Sequence, residues 1–197
     1  MKLAHARRLA ADVAAWLAPG CAAVEVAGSI RRERPECHDV ELAILPAGQP
    51  DLFGAWAARL DLLDAALAPV LADRRLIWHP ENPARGKRLK RLWCPAEAAT
   101  IELWIADSPD NWGPTLAIRT GDANFAHALV TPRAFGGFMP DGWRQADGYL
   151  HGADGAIVPC PTEDDYFRQL GIAPTPAPRE RDVELARRLA RHLEVPR

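Results

Sequence analysis

Residues 24–45 contain the pattern that most constrains the fold of this chain. Two apolar runs are separated by a Gly28-Ser29 turn and a pair of arginines, and the second run begins with Asp39 and Glu41. Apolar runs of this length, flanked by turn residues, predict strands. Because successive strand side chains point to opposite faces, Asp39 and Glu41 should project from the same face. We therefore expect two strands joined by a tight turn, with two neighbouring carboxylates at the start of the second.

The charged and polar groups of this pattern predict a site for a metal ion and a phosphate. Two adjacent carboxylates repel each other unless a cation lies between them, and carboxylate oxygens are ligands that Mg²⁺ prefers. The backbone N–H groups and the hydroxyl of the Gly28-Ser29 turn suit a phosphate. Such a combination favours a metal-dependent phosphoryl or nucleotidyl transferase. The simpler interpretation is a solvated turn and an edge strand, but Val40 and Leu42 flank the acids with apolar side chains.

A third carboxylate, Glu102, lies in the apolar segment 99–105, which we expect to form a hairpin with the segment 87–94. Taken alone, Glu102 is equally well interpreted as a surface acid on an edge strand. Together with Asp39 and Glu41, it would complete a two-metal site.

The first predicted hairpin strand and the loop before it are strongly basic, with five cations in seven positions. These residues are Arg85, Lys87, Arg88, Lys90 and Arg91. A charge cluster is commonly a solvated face, but beside a metal site it favours contact with a phosphate backbone.

The composition is that of a globular protein, with 48% hydrophobic and 25% charged residues and a net charge of −2. No apolar run approaches the length of a membrane span, and arginines interrupt the first residues, unlike in a signal peptide. The four cysteines lack CxxC spacing, which favours reduced thiols over a zinc site. We therefore expect a cytoplasmic protein without a membrane partner.

Helical spacing of apolar residues predicts helices over 3–17 and 51–73. After residue 107, short apolar segments alternate with glycine and proline, which indicates a small, turn-rich second unit. The predicted divisions are a first domain over 1–107, a second over 108–181, and a C-terminal helix and tail over 182–197.

The motifs resemble those of the family X DNA polymerases, within the nucleotidyltransferase superfamily. That family has Gly-Ser-x-Arg-Arg, six further residues, Asp-x-Asp, and a third Asp on a later hairpin strand. The residues that match with the same spacing are Gly28, Ser29, Arg31, Arg32 and Asp39. The Thr-Gly of the family's thumb, followed by Phe, is matched by Thr120, Gly121 and Phe125.

The resemblance implies an α+β fold: a polymerase-beta-like nucleotidyltransferase palm, with a mixed sheet flanked by helices, plus a small α+β thumb. About 27 residues precede Gly28, so the expected form is a minimal palm and thumb. The implied activity is templated gap-filling DNA synthesis in repair or replication. The implied partners are primer-template or gapped DNA and a (d)NTP, bound by a monomer. The implied cofactor is Mg²⁺ in a two-metal site, with Mn²⁺ as a substitute.

By the same resemblance, the nucleotide-binding residues include Gly28, Ser29 and Arg32, with Ser29 and Arg32 holding the β- and γ-phosphates. Thr120 and Gly121 would lie at the sugar and base, together with the preceding Ile118 and Arg119. Asp39, Glu41 and Glu102 would hold the metals and perform catalysis.

The chain departs from the family pattern at several positions. Glu41 and Glu102 replace aspartates, and their extra methylene moves the carboxylate within a site that is sensitive to such shifts. Ile118-Arg119 stands where the family has an aromatic pair, and Thr100 replaces an arginine. Two alternatives therefore stay open. One is a nucleotidyltransferase that adds nucleotides without a template, or that modifies RNA, a protein or a small molecule. The other is a catalytically decayed DNA-binding protein.

Overall fold

The computed structural model of the chain describes residues 1–52 and 56–193. They form two compact units, Met1–Ser108 and a second unit that begins at Pro109. The helices are α1 (Leu3–Leu17), α2 (Gly28–Arg31), α3 (Leu60–Ala72), α4 (Trp112–Thr120), α5 (Ala123–Val130), α6 (Glu163–Gln169) and α7 (Val183–Leu193). None of the helices in these two ranges is both long and apolar enough to cross a membrane.

The strands of the first unit are β1 (Cys21–Val26), β2 (Asp39–Pro46), β3 (Gly48–Pro50), β4 (Trp56–Ala58), β5 (Ile77–Trp78), β6 (Ala84–Arg85), β7 (Leu89–Cys94) and β8 (Ala99–Ile105). Six of them form one sheet in the order β1-β2-β8-β7-β5, with β6 pairing to another part of β7. The β2–β8 pair is parallel and the other pairs are antiparallel. The expectation of an α+β fold with a mixed sheet flanked by helices is therefore confirmed.

Strand β8 shows why this sheet is half buried. Its side chains alternate between fully buried and partly exposed along the whole strand, as a sheet with one covered face requires. On the covered face, Ile101 and Leu103 belong to the same core as Leu9 of α1 and Leu67 of α3. Burial of a leucine or isoleucine side chain contributes about 1.5–3 kcal/mol, so this face orients the sheet and leaves the other face for polar residues.

Helix α1 has the bounds that its spacing predicts, whereas the helix expected over 51–73 begins only at Leu60. The residues before α3 instead form the short hairpin β3–β4, in which Pro50 pairs with Trp56. The leucine at position 52 is 99% exposed, so it does not share a buried helix face with the leucines of α3. Phe53, which that prediction included, lies outside the described residues.

The second unit surrounds its own apolar core with helices and a small antiparallel sheet, β9 (Arg144–Ala146), β10 (Tyr149–His151) and β11 (Ile157–Val158). Aromatic side chains contribute to this core, and the rings of Phe125 and Phe138 meet edge to face at 5.7 Å between centroids. Leu185 and Ala186 of α7 are buried in the same core, so the C-terminal helix packs as part of this unit.

Candidate active site

The parallel pairing of β2 with β8 places the three candidate carboxylates on one face of the sheet. Glu41 lies directly beside Glu102 in the register, and Asp39 lies beside Thr100. Neighbouring residues in register share a face, and residues two apart on a strand also share it. Asp39, Glu41 and Glu102 therefore occupy the face opposite the apolar core.

The turn at Gly28 lies directly against the carboxylate of Glu41. Gly28 is buried and has φ of +58°, a left-handed conformation that favours glycine. A Cβ at this position would overlap Oε2 of Glu41. The backbone N–H of Ala27 donates to the carbonyl of Glu41 at 2.9 Å, which anchors the turn to β2. The glycine of the motif is thus required by the close approach of the turn to a candidate metal ligand.

The electrostatic environment of Asp39 disfavours its negative charge. Burial raises the pKa of Asp39 above its ordinary value, and the negative charge of Glu102 raises it further. The backbone N–H of Asp39 and the positive charges of His38 and Arg32 act in the opposite direction without cancelling the effect. A cation bound between these carboxylates would remove the repulsion.

Glu102 already has one cationic partner. The Nε of Arg91 on β7 donates to its Oε1 at 2.6 Å, and both side chains are largely buried, 21% and 13% exposed. Arg91 lies opposite Glu102 in the antiparallel register of the β7–β8 hairpin. It was predicted to contact nucleic acid, but its guanidinium is engaged within the carboxylate cluster and balances part of the negative charge.

The donor set fits a hard divalent cation in its chemistry, because carboxylates from two adjacent strands lie on one face of the sheet. Within residues 1–52 and 56–193, no group of three or more His, Cys, Asp or Glu side chains is already close enough to hold a metal ion. The ion pair of Glu102 with Arg91 orients that carboxylate toward the guanidinium. Asp39 and Glu41 are therefore the better candidates for a first cation, with Glu102 beside them.

Helix α2 is a single turn that positions the hydroxyl of Ser29. The backbone N–H of Arg32 donates to Gly28 at 3.1 Å and that of Arg34 donates to Ser29 at 3.0 Å, which closes the turn. The Oγ of Ser29 is buried and has no hydrogen-bond partner among the described residues. A buried hydroxyl without a partner costs about 1–3 kcal/mol, so a ligand oxygen there would be stabilising.

The five predicted cations of the basic cluster lie in three environments. Arg91 is paired with Glu102, as described above, and the other four are either exposed or buried. Arg85 and Lys87 are exposed, as is Arg88, and the guanidinium of Arg85 stacks over the ring of Trp78 at 4.7 Å. Lys90 points to the covered face of the sheet, where its side chain is only 8% exposed and its Nζ binds Asp64 of α3 at 2.8 Å. Because alternate residues of β7 face opposite ways, Lys90 is removed from the exposed basic surface.

The candidate residues of the second unit lie where α4 meets α5. Thr120 is the last residue of α4 and is fully buried, and Gly121 follows it as the cap. A Cβ on Gly121 would come within 2.7 Å of the Phe125 ring, so the close packing of this junction requires glycine. The two residues before Thr120, Ile118 and Arg119, are half-buried on the last turn of α4.

Two features of the site escaped the sequence prediction. The ion pair of Arg91 with Glu102 follows from the hairpin register, since the Cys94–Ala99 pair at the hairpin turn fixes Arg91 opposite Glu102. Counting residues back along both strands from the predicted turn would have predicted this ion pair. The contact of Gly28 with Glu41 depends on how a turn folds over a strand, and no local sequence signal specifies it.

Comparison with known proteins does not identify a family: no protein-family model and no curated protein sequence matches this chain.

Proposed function

We propose that the first unit has a polymerase-beta-like palm architecture and catalyses metal-dependent nucleotidyl transfer to the 3′-OH of DNA. The observation that supports this most directly is the packing of Gly28 against Glu41, on the sheet face that also bears Asp39 and Glu102. This arrangement holds a phosphate-binding turn next to a carboxylate cluster. Nucleotidyl transfer needs that proximity, because the reacting phosphate must meet the metal ligands.

In the proposed reaction, the 3′-oxygen forms a bond to the α-phosphorus of the nucleotide, and the bond from that phosphorus to pyrophosphate breaks. Mg²⁺, when bound, supplies charge neutralisation at the phosphates and lowers the pKa of the attacking hydroxyl. Asp39 and Glu41 would hold the ion, and Glu102 would lie beside the attacking hydroxyl and receive its proton. Arg91 would keep the Glu102 carboxylate in position.

The triphosphate side of the site is assigned to the turn after β1. The buried, unpartnered hydroxyl of Ser29 would donate to a phosphate oxygen. Arg32 acts electrostatically on Asp39 and so lies within range of the same cluster, where its guanidinium would pair with the phosphates. Thr120 of the second unit is fully buried, so it is not assigned a contact with the nucleotide.

The nucleic-acid partner is inferred from the exposed basic surface formed by Arg85, Lys87 and Arg88 at one end of the sheet. Exposed arginines and lysines contact phosphates, and Trp78 beneath Arg85 holds that guanidinium in place. We infer DNA as the partner, in a primer-template or gapped form. Lys90 takes no part in this surface, because it is buried against α3.

One observation favours a second candidate function. The short ion pair of Arg91 with Glu102 neutralises the third carboxylate without a metal. A DNA-binding protein with a decayed catalytic site would tolerate such a pair, whereas a two-metal enzyme must accommodate a cation beside it.

The substrate is tested by extension of a labelled primer on gapped, templated and single-stranded DNA. Each dNTP and NTP is supplied separately, with Mg²⁺ or Mn²⁺. The proposal predicts incorporation of the complementary nucleotide on gapped or templated DNA. Incorporation on single strands alone, regardless of sequence, would favour the template-independent alternative. DNA binding without incorporation under any of these conditions would favour the decayed protein.

A further inference from the structure

A groove on the second unit has no part in the proposed reaction. It lies where α7 packs against α5 and encloses a cavity of about 450 Å³. Its lining combines small apolar residues of the two helices with polar, basic and aromatic side chains at the rim. The polar, basic and aromatic residues of the lining include Asn124, His127, Phe135, Arg187 and Arg191, which are called the rim.

The aromatic residue at the rim is held in an exposed position. The side chain of Phe135 is 80% exposed, although a phenylalanine gains about 1.5–3 kcal/mol when it is buried. Its short 3-10 turn is closed by hydrogen bonds from Gly136 to Arg133 at 2.9 Å and from Gly137 to Pro132 at 3.1 Å. The turn is therefore fixed by its own backbone, and Phe135 lines the groove with most of its surface exposed.

The base of that turn is tied to the rest of the unit. The guanidinium of Arg133 donates to the carbonyl of Leu170 at 2.8 Å and to that of Phe138 at 3.3 Å. Phe138 is fully buried in the core. The backbone that bears the exposed ring is thus anchored, which lowers the ordering cost of a stacking contact.

The charges at the rim are mainly positive. Arg187 and Arg191 are four residues apart on α7, so they lie on the same side of that helix and both reach the groove. His127 of α5 lies across from them. Among the carboxylates nearby on α7, Glu184 pairs with Arg187 at 2.6 Å on the exposed surface, and Asp182 accepts backbone N–H groups at the start of the helix.

We propose that this groove binds a single strand of nucleic acid. A base would stack on Phe135, and the adjoining phosphates would pair with Arg187 and Arg191. Exposed aromatic rings bordered by arginines bind single strands because unpaired bases offer their faces, whereas a duplex keeps its bases stacked inside. The positive rim matches a polyanion rather than an apolar peptide. The groove needs neither the carboxylates nor a metal, so the inference is independent of the proposed catalysis.

The proposal is tested by fluorescence anisotropy with the full chain and a labelled oligothymidine of about 12 nucleotides, in EDTA. Phe135→Ala should weaken binding about 5- to 140-fold, the range expected for one stacked base. The double variant Arg187→Gln/Arg191→Gln should lower the slope of log affinity against log salt by about 1.4, at 0.7 for each single-strand phosphate contact. Phe135→Trp should retain the affinity.

The matched control is Arg179→Gln, which removes an exposed arginine of the same unit outside the groove lining. It should bind like the unaltered protein, and circular dichroism should show equal folding of all variants. Unchanged single-strand affinity in Phe135→Ala, or an equal loss in Arg179→Gln, would overturn the proposal. Repeating the titrations with Asp39→Asn separates this inference from catalysis, because groove binding should persist in that variant.

Discussion

At the scale of single residues, the candidate site requires glycine at position 28, because there is no room for a Cβ. Its positive φ and its contact with the carboxylate of Glu41 both exclude a Cβ. Backbone strain and a displaced carboxylate would therefore result from the same substitution. A substitution at such a position should therefore affect both the stability of the fold and the activity of the site.

Gly28→Ala should lower the free energy of unfolding by about 1–3 kcal/mol, because alanine must adopt a left-handed conformation and push Glu41 aside. It should also reduce nucleotide incorporation, because Glu41 would no longer be in place. Chemical denaturation measures the first effect and primer extension the second. Gly86→Ala is the matched control, since a Cβ there would meet only Leu89 O at 3.6 Å and Arg88 N at 4.0 Å. Equal stability of the two variants would contradict this role for Gly28.

Asp39 should link stability to Mg²⁺. Burial, and then the neighbouring Glu102, disfavour its charge, so a bound cation should stabilise the folded protein. At a Mg²⁺ concentration 100 times its dissociation constant, the gain is about 2.7 kcal/mol. Differential scanning calorimetry should show a rise in Tm with Mg²⁺ that is absent from Asp39→Asn. Asp12→Asn, which removes an exposed acid of α1, should keep the rise. If the Tm of the unaltered protein did not change with Mg²⁺ concentration, the metal assignment would be contradicted.

Among the secondary-structure elements, α6 begins with a capping box that should make stability depend on pH. The Asp165 carboxylate accepts hydrogen bonds from the backbone N–H and hydroxyl of Thr162, and Arg168 binds its other oxygen at 3.0 Å. The hydroxyl of Thr162 first, and Arg168 with it, hold the pKa of Asp165 below its ordinary value of 3.8. A lowered pKa contributes stability above 3.8, and this contribution is lost as the pH falls through the folded-state pKa.

Asp165→Asn should therefore lower the urea midpoint at pH 7, and the difference from the unaltered protein should shrink as the pH falls below about 3.8. Asp164→Asn is the control, because it changes the same charge in the same first turn of α6 but lies outside the capping box. A difference that stays constant down to acid pH would show that the ionised form of Asp165 is not what stabilises the cap.

At β7, an exposed lysine and a buried lysine should have different roles. The exposed one should contribute to DNA binding, and the buried one should contribute to the stability of the fold. Lys87→Gln removes an exposed cation of the loop before β7, so it should lower the log–log salt slope of duplex binding by about 0.9. Lys90→Gln removes the same charge from the covered face, where Asp64 binds it. It should lower the urea midpoint and leave the slope unchanged. Anisotropy titrations at several salt concentrations decide between these outcomes. A slope change in Lys90→Gln equal to that of Lys87→Gln would mean that Lys90 reaches DNA.

Individual helices and strands show how far the sequence predicts the structure. The bounds of α1 and β8 follow from local periodicity, because each buries one face along its whole length. The burial of Lys90 follows from the alternation of β7, but its charge suggested a surface role. The parallel pairing of β2 with β8 and the β3–β4 hairpin depend on contacts between distant or short segments. No local pattern specifies such contacts.

At the scale of the whole molecule, the two units have separate cores and different candidate residues. The proposed metal ligands and the Gly28-Ser29 turn belong to the first unit, whereas the proposed single-strand groove belongs to the second unit alone. Loss of catalysis and loss of single-strand binding should therefore be separable by substitutions in different units.

The central claim is that Asp39 belongs to a metal-dependent nucleotidyl-transfer site. Its most direct test is single-turnover incorporation of a labelled dNTP on gapped DNA with Mg²⁺, comparing the unaltered chain with Asp39→Asn and Asp12→Asn. We predict incorporation by the unaltered protein and by Asp12→Asn. We also predict a rate loss of at least about 10²- to 10³-fold in a folded, DNA-binding Asp39→Asn, because the substitution removes transition-state charge stabilisation. Incorporation by Asp39→Asn at the unaltered rate would contradict the claim.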